Sequence, residues 1–215
     1  METYIDKLEP NQIDILWANG WRNFGIYFFK ETSGYNPTIQ KNDIIIPLRI
    51  YLPKFTFQKS HLKILKKNKI MNVEFKPIVI DEAKENLFQK HAQRFSYNVP
   101  TSLYDFLSEK PESLPYQGIE CAVHHKENNQ LCAVSFVGVG KQSLSSIYAM
   151  FDTDYSTHSL GIFTLLAEIE YGKEHNFEYL YLGYAYQNAS FYDYKKKFNH
   201  LQYYDWKKNW LDFSQ

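Results

Sequence analysis

Three apolar segments in the second half of the chain stand close together: GIECAVHH (118–125), LCAVSFVGVG (131–140) and LSSIYAMFD (144–152). Five residues separate the first two and three separate the next pair. Connections that short join antiparallel neighbours, because a parallel crossover needs about a dozen residues or more. The segments therefore read as a β-meander. HSLGIFTLLAEIEYGKEH (158–175) follows with helical periodicity, placing Leu160, Phe163, Leu166, Ala167 and Ile169 on its buried side. FEYLYLGY (177–184) reads as a strand, and NASFYDYKKKF (188–198) as a helix opened by Asn188. A last strand is placed near LQYYDW (201–206). A meander, then helix, strand, helix and strand, gives an α+β chain with a mixed, mostly antiparallel sheet flanked by helices.

The first half is less regular. A short helix near Asp14 to Ala18 precedes one aromatic strand over GWRNFGIYFFK (20–30). IIIPLRIYL (44–52) is a strand whose Pro47 predicts an edge position or a bulge. FQKSHLKILKKNK (57–69) reads as a helix and MNVEFKPIVI (71–80) as a strand. Asp81 caps a helix over 81–95, and SLYDFL (102–107) forms a short one.

Aromatics make up 18% of the 215 residues, which predicts a packed globular protein. The 24 basic and 24 acidic residues cancel, so no overall field draws a polyanion. Any such partner must meet a local patch. Two cysteines, Cys121 and Cys132, fit no zinc or redox spacing and read as small apolar residues on neighbouring strands. The N-terminus lacks the blocks of a signal peptide, and no apolar run approaches the roughly 20 residues that span a bilayer. The reading is a cytoplasmic chain without membrane contact.

Three features carry chemistry. THSLG (157–161) offers Ser159 as N-cap, with Leu160 and Gly161 in the first turn, so free backbone N–H groups face an anion or oxyanion. An ordinary capped helix shows the same pattern. KFTFQKSHLKILKKNK (54–69) carries six lysines and no acid, with Lys59, Lys63, Lys66 and Lys67 on one helical face and Leu62 and Leu65 towards another. Such a stripe is either a phosphate-backbone tracker or a solvated face. Residues 191–210 hold eight aromatics and five lysines against two aspartates. Rings that stack on unpaired bases, interleaved with lysines that hold phosphates, suit a single-stranded RNA end; the same rings also serve as packing.

These stretches resemble the aminoacyl-tRNA–protein transferases, the arginyl-transferring enzymes and their bacterial leucyl-transferring relatives. NGWRNFG is similar to the family's Gly-aromatic-Arg-x-x-Gly block, and PLRIYLPKFTFQKSHLKILKKN to its Arg-x-Phe-x-Ser-Lys-Ser-Gln-Arg-Arg region. YAMFDTDYSTHSLGIFTLLAEIE resembles the block centred on Arg-Ser-Leu-Gly. YLYLGYAYQNASFYDYKKKFNHLQYYDWKKNW resembles Tyr-Leu-Gly-Tyr-Trp-Ile, Met-x-Tyr-Lys and a closing Trp. Departures accompany the match. The family's metal-binding cysteine cluster is absent, Thr38 and Lys41 lying in that region. His158 replaces an Arg, Ala185 a Trp, Leu62 and Lys63 the Arg pair, and Tyr192 with Asp193 the Met-x.

The resemblance implies a GNAT-like acyltransferase fold, in which two neighbouring strands splay beside the helix between them. It also implies transfer of arginine or leucine from aminoacyl-tRNA to the N-terminal amine of a protein, one with an acidic first residue; with the cysteine cluster absent, no cofactor or metal is expected. On that reading residues 1–80 carry the basic helix and pack on a transferase domain over 81–215 as one compact unit. Tyr148, Tyr184 and Lys195 are the catalytic candidates. The backbone N–H groups at Tyr148 to Phe151, or the Tyr184 hydroxyl, serve an oxyanion, and Lys195 binds the terminal phosphate. Arg22, Arg49 and Lys59 hold an acidic acceptor residue; Ser159, Leu160, Gly161, Tyr186 and Tyr194 complete the substrate site. Lys63, Lys66, Lys67, Lys196 and Lys197 face the tRNA. Two other readings stand beside it: an acetyl-CoA-dependent N-acetyltransferase, against which the missing glycine-rich loop counts, and a non-catalytic RNA- or protein-binding relative.

Overall fold

The computed structural model describes residues 1–95 and 99–213. In chain order the elements are β1 (Glu2–Tyr4), α1 (Pro10–Ala18), β2 (Arg22–Phe24), β3 (Tyr27–Phe29), β4 (Ser33–Asn36), β5 (Lys41–Tyr51), α2 (Lys59–Lys67), β6 (Met71–Pro77) and α3 (Glu82–Ala92). The second half adds β7 (Gly118–His125), β8 (Leu131–Val139), β9 (Ser143–Phe151), α4 (Leu160–Glu174), β10 (Tyr179–Tyr186), β11 (Leu201–Tyr204) and β12 (Trp210–Asp212). The main sheet runs β12-β11-β5-β10-β9-β8-β7-β6, with β4 paired to the start of β5. Among its described pairings only β9–β10 is parallel. The mixed, mostly antiparallel sheet and the meander β7-β8-β9 followed by α4 are as expected. Cys121 and Cys132 lie buried on adjacent strands, also as expected.

The first half departs from its reading in several places. The aromatic stretch 20–30 is a hairpin, β2 and β3, because Gly25 takes φ +51 and turns the chain; with β1 it makes a separate three-stranded sheet. Pro47 is not on an edge, since β5 has neighbours on both sides. On the β11 side, however, it falls between the β4 pairing, which ends at Ile44, and the β11 pairing, which begins at Leu48. No ladder bond on that side is lost there to the missing N–H. Helix α1 begins earlier than expected because Pro10 opens it. Both α2 and α3 are shorter than their sequence patterns, β6 stops at Pro77, and 103–105 is a single 3-10 turn. The stretch after β10 is a 3-10 turn over 191–197, not an α-helix. Its cap is Ser190, which accepts from Tyr192 N at 3.2 Å; Asn188 is engaged elsewhere.

The two sheet faces are buried differently. One carries α4 and α2 over a core that includes Leu48, Ile50, Leu144, Leu166, Ile169 and Leu180. The other carries α3 over Val134, Phe136 and Met150, and α1 with the small sheet around Trp17, Phe28 and Tyr181.

Candidate active site

β9 and β10 pair only over Ser143–Ser145 and Tyr179–Tyr181, and then both strands bulge. On β9, Val137 faces Ser146 while Phe136 faces Tyr148, leaving Ile147 as an extra residue. On β10, Arg49 faces Tyr181 while Leu48 faces Gly183, leaving Leu182 extra. A bulge bends its strand and raises the local twist. Two bulges just past the last paired residues force the strands apart and make a fork.

The fork is entered from both faces. Arg22, on β2, reaches in from the small-sheet side; Nη1 donates to Ser145 Oγ at 2.6 Å and Nη2 to the Ser146 carbonyl at 2.8 Å. Only 8% of Arg22 is exposed. Gly183 makes room for it with φ +81, and a Cβ there would sit 3.1 to 3.3 Å from the guanidinium. Lys195 comes from the α4 side, half-buried, and its Nζ donates to the Tyr184 carbonyl at 3.2 Å. Two cations thus satisfy carbonyls on the two diverging strands.

Behind them lies Glu168 of α4, 1% exposed, which accepts from Ser146 Oγ at 3.4 Å through Oε1. Its Oε2 has no hydrogen-bond partner among the described residues. Ser135 Oγ, which faces it from β8, falls short of bonding geometry and is unpartnered too. Burial pushes Glu168 up to about 7, against the pull of both serine hydroxyls and Lys195. Burial, helped by Arg22 and opposed by Glu168, brings Lys195 down to about 7. Burial also lowers Arg22, whose charge meets hydroxyl and carbonyl dipoles.

The structure therefore brings Arg22, Lys195 and Glu168 together. Tyr194 joins them, its phenol pushed up to about 12 by burial and by Tyr192 and Glu168. Both phenols assigned to catalysis point away from the α4 face that carries Lys195 and Glu168, for one physical reason, although Tyr184 stays near enough to Arg22 for their charges to interact. Each follows a bulge, and a bulge shifts the alternation of side chains to the opposite face. Tyr184 OH donates to the Gly20 carbonyl at 2.9 Å on the small-sheet face. Tyr148 stacks on Phe106 at 4.0 Å among the α3 core residues. Neither hydroxyl faces the fork from the α4 side, and the Phe151 N–H is taken by His91 Nδ1 at 3.1 Å.

Arg49 is also away from the fork. Its guanidinium lies 3.7 Å over Tyr179 and 4.2 Å over Trp210, with Nε donating to Gln202 at 2.8 Å, so it is walled in by aromatic rings. Ser159 precedes α4 with φ +54 and its hydroxyl makes no cap bond. A Cβ at Gly161 would meet only the Phe151 ring at an ordinary 3.4 Å, so no close approach requires this glycine. Glu168 lies eight residues beyond Leu160, about 12 Å along the helix, so the helix start and the fork are separate places.

On α2, Lys59, Lys63, Lys66 and Lys67 are exposed as expected. Leu62 is 53% exposed among them, the buried side being His61, Ile64, Leu65 and Asn68. Lys67 reaches the Thr157 carbonyl at 2.6 Å, and Asn68 Nδ2 donates to the His158 carbonyl at 2.9 Å, joining the basic helix to the start of α4. Lys196 holds the Gln187 and Asn188 carbonyls and pairs with Asp193 at 2.8 Å, which makes it a brace for its own loop; Lys197 is exposed. Tyr186 OH donates to the Tyr35 carbonyl at 2.7 Å, and its ring lies 6.2 Å from Tyr192. Near Thr38 and Lys41 the hairpin of β4 and β5 is clipped by Asp43, which accepts from Asn36 at 3.0 Å and Asn188 at 2.8 Å. Among the described residues no cluster of His, Cys, Asp or Glu could hold a metal ion there or elsewhere.

The family model described as "Arginine-tRNA-protein transferase, C terminus" matches residues 60–205, a stretch containing α4, β10 and Lys195. The chain belongs to this aminoacyltransferase family. As a family member it is similar over most of its length to proteins named aspartate/glutamate leucyltransferase. That of Helicobacter hepaticus is 26% identical over 203 residues, covering 91% of this chain and 80% of the relative. That of Campylobacter jejuni (strain 81116) is 27% identical over 197, covering 89% and 79%, and that of Vibrio campbellii 28% over 193, covering 87% and 78%. Likenesses among solved structures are remote. One is to L-PGS from Bacillus licheniformis, at 12% identity and TM-score 0.45, covering 88% of this chain and 55% of the other. Another is to a tandem GNAT protein from the clavulanic acid biosynthesis pathway, at 11% and 0.43, covering 87% and 56%.

Proposed function

We propose that the protein transfers leucine from leucyl-tRNA to the α-amine of proteins whose first residue is Asp or Glu, and that the β9–β10 fork is where the ester meets the amine. The observation that carries the reading is similarity to aspartate/glutamate leucyltransferases across about nine-tenths of the chain. The two strands of the fork, with Lys195 and Glu168, fall within the matched region and support the placement.

An α-amine with a pKa of about 7.7 to 8 is mostly protonated near pH 7, and once neutral it attacks an activated ester readily, so orientation and charge stabilisation supply much of the rate. Attack forms the new C–N bond at the ester carbonyl. Collapse of the tetrahedral intermediate breaks the C–O bond to the terminal ribose, which leaves as a hydroxyl. Arg22, a fixed guanidinium, suits a carboxylate or phosphate at the fork's base. Tyr194 and Tyr186 line the side next to the 191–197 turn. The exposed Lys59, Lys63, Lys66 and Lys67, with Lys197, track the tRNA backbone, and the amides of Leu160 and Gly161, just after Ser159, meet a phosphate further along. The reaction takes place in the cytoplasm, where charged tRNA is made.

The test is transfer of labelled leucine from leucyl-tRNA to peptides beginning with Asp, Glu or Ala. Transfer to the first two and not the third is expected. Transfer from arginyl-tRNA instead would revise the donor. Acetylation by acetyl-CoA, or tRNA retention without transfer from any charged tRNA, would overturn the proposal.

A further inference from the structure

Lys195 and Glu168 are an unusual pair to leave half-made. Glu168 is enclosed by Ser135 on β8, Ser146 on β9 and Cys121 on β7, whose thiol burial pushes well up, with the Glu168 charge adding to the rise. From the 191–197 turn, Tyr194 and Lys195 complete its surroundings. Yet no donor reaches Oε2 among the described residues. Lys195 Nζ in turn faces Glu168 from α4, Arg22 from β2, the Tyr184 carbonyl on β10 and the Tyr192 ring at 5.0 Å on its own turn. Asp193, the nearest acid in sequence, is taken by Lys196.

A lysine that only clamps a phosphate is best left solvated and charged. This one is half-buried, tied to the Tyr184 carbonyl, and placed beside a second cation that cannot lose its proton. Burial and a cationic neighbour are the two means by which proteins make a lysine amine basic and neutral at once. The guanidinium on the opposite flank already supplies the permanent charge an anion needs.

We propose that Lys195 Nζ is the base that takes the proton from the attacking amine, and that Glu168, buried behind it, is the positioning residue that keeps Lys195 ready to take it. The inference rests on the aminoacyl-transfer reading above. The acceptor arrives as an ammonium, and neutral Lys195 takes one proton and becomes charged. The freed lone pair forms the C–N bond to the ester carbon. When the C–O bond breaks, its electron pair stays on the ribose oxygen, which takes the proton back from Lys195. The new amide nitrogen then loses its remaining extra proton to the restored amine and on to water. No other reactant is needed.

The experiment is the pH profile of kcat/KM for leucine transfer to an Asp-initiated peptide, for the wild type, Glu168→Gln and Lys195→Arg, with thermal melts to check folding. In kcat/KM the free peptide amine contributes the same limb to every profile, so only an enzyme group can move between variants. Glu168→Gln removes the charge that favours protonated Lys195. Its enzyme limb should therefore move to lower pH. Lys195→Arg keeps the positive charge and cannot accept a proton, so transfer should fall by about 100-fold or more while leucyl-tRNA binding persists. An active wild type whose limb stays put in Glu168→Gln, or a Lys195→Arg that transfers normally, overturns the inference alone. A wild type that transfers from no charged tRNA overturns the functional reading beneath it.

Discussion

Gly183→Ala tests how closely the fork is built around Arg22. Two costs can be worked out. The backbone at φ +81 lies in the left-handed region, where a side-chain residue costs about 1–2 kcal/mol. The added methyl would also stand 3.1 Å from Nη2, 3.2 Å from Cζ and 3.3 Å from Nε of Arg22, so the guanidinium must shift by a few tenths of an ångström. That motion strains bonds of 2.6 Å to Ser145 and 2.8 Å to Ser146. Losing one would add about 1.5–3 kcal/mol, the range for a charged hydrogen bond. If Arg22 tilts and keeps both bonds, only the backbone cost remains. At about 2–4 °C per kcal/mol for a chain of this size, the melting temperature should fall by about 2–8 °C if both bonds are kept and by about 5–20 °C if one is lost. Leucine transfer, measured below the transition, should drop by about tenfold or more, because the cation at the reacting centre has moved. The same glycine change in an Arg22→Lys background should cost less transfer than in the wild type, since the two positions act through one contact. A Gly183→Ala protein with wild-type melting and wild-type transfer would refute the reasoning.

Two further outcomes follow from the rest of the molecule. Replacing exposed Lys63 and Lys66 by Glu should weaken leucyl-tRNA binding and flatten its dependence on salt, as read by filter retention from low to moderate salt; unchanged binding would remove α2 from the interface. His91, 3% exposed, is held down to about 4 by burial, with Arg94 lowering it further and a bond to the Phe151 backbone opposing. The folded state therefore holds it neutral while the unfolded chain protonates below 6.5, so stability is lost as pH falls from 6.5 towards 4. At 1.36 kcal/mol per pH unit the gap is worth about 3 kcal/mol, and urea titrations should show that part of the acid sensitivity missing in His91→Gln.

The parts of this fold that could be read in the sequence are those where one pattern dominates. The meander's short spacers allow only antiparallel pairing, and the apolar stripe of α4 shows which side is buried. Arg22 was reachable only through the Gly-aromatic-Arg resemblance, because nothing in WRN indicates that its guanidinium will cross into another sheet. The faces on which Tyr148 and Tyr184 emerge are not legible in the sequence, because the extra residues Ile147 and Leu182 carry no signal that separates them from their neighbours. Arg49 looked like a free cation because the rings that enclose it come from β10 and β12, one of them more than 150 positions away. Glu168 was overlooked, although a signal existed. It stands four residues after Thr164 and eight after Leu160, on the buried flank of α4, where a carboxyl needs a reason to be.

The most direct measurement is a crystal structure of the protein with leucine joined to the 3′ position of adenosine through a stable amide. The account places the leucyl carbonyl in the β9–β10 fork, between Arg22 and Lys195, with the adenosine towards the 191–197 turn. An analogue seated at the β4–β5 hairpin or at the start of α4, with the fork unchanged, would contradict it.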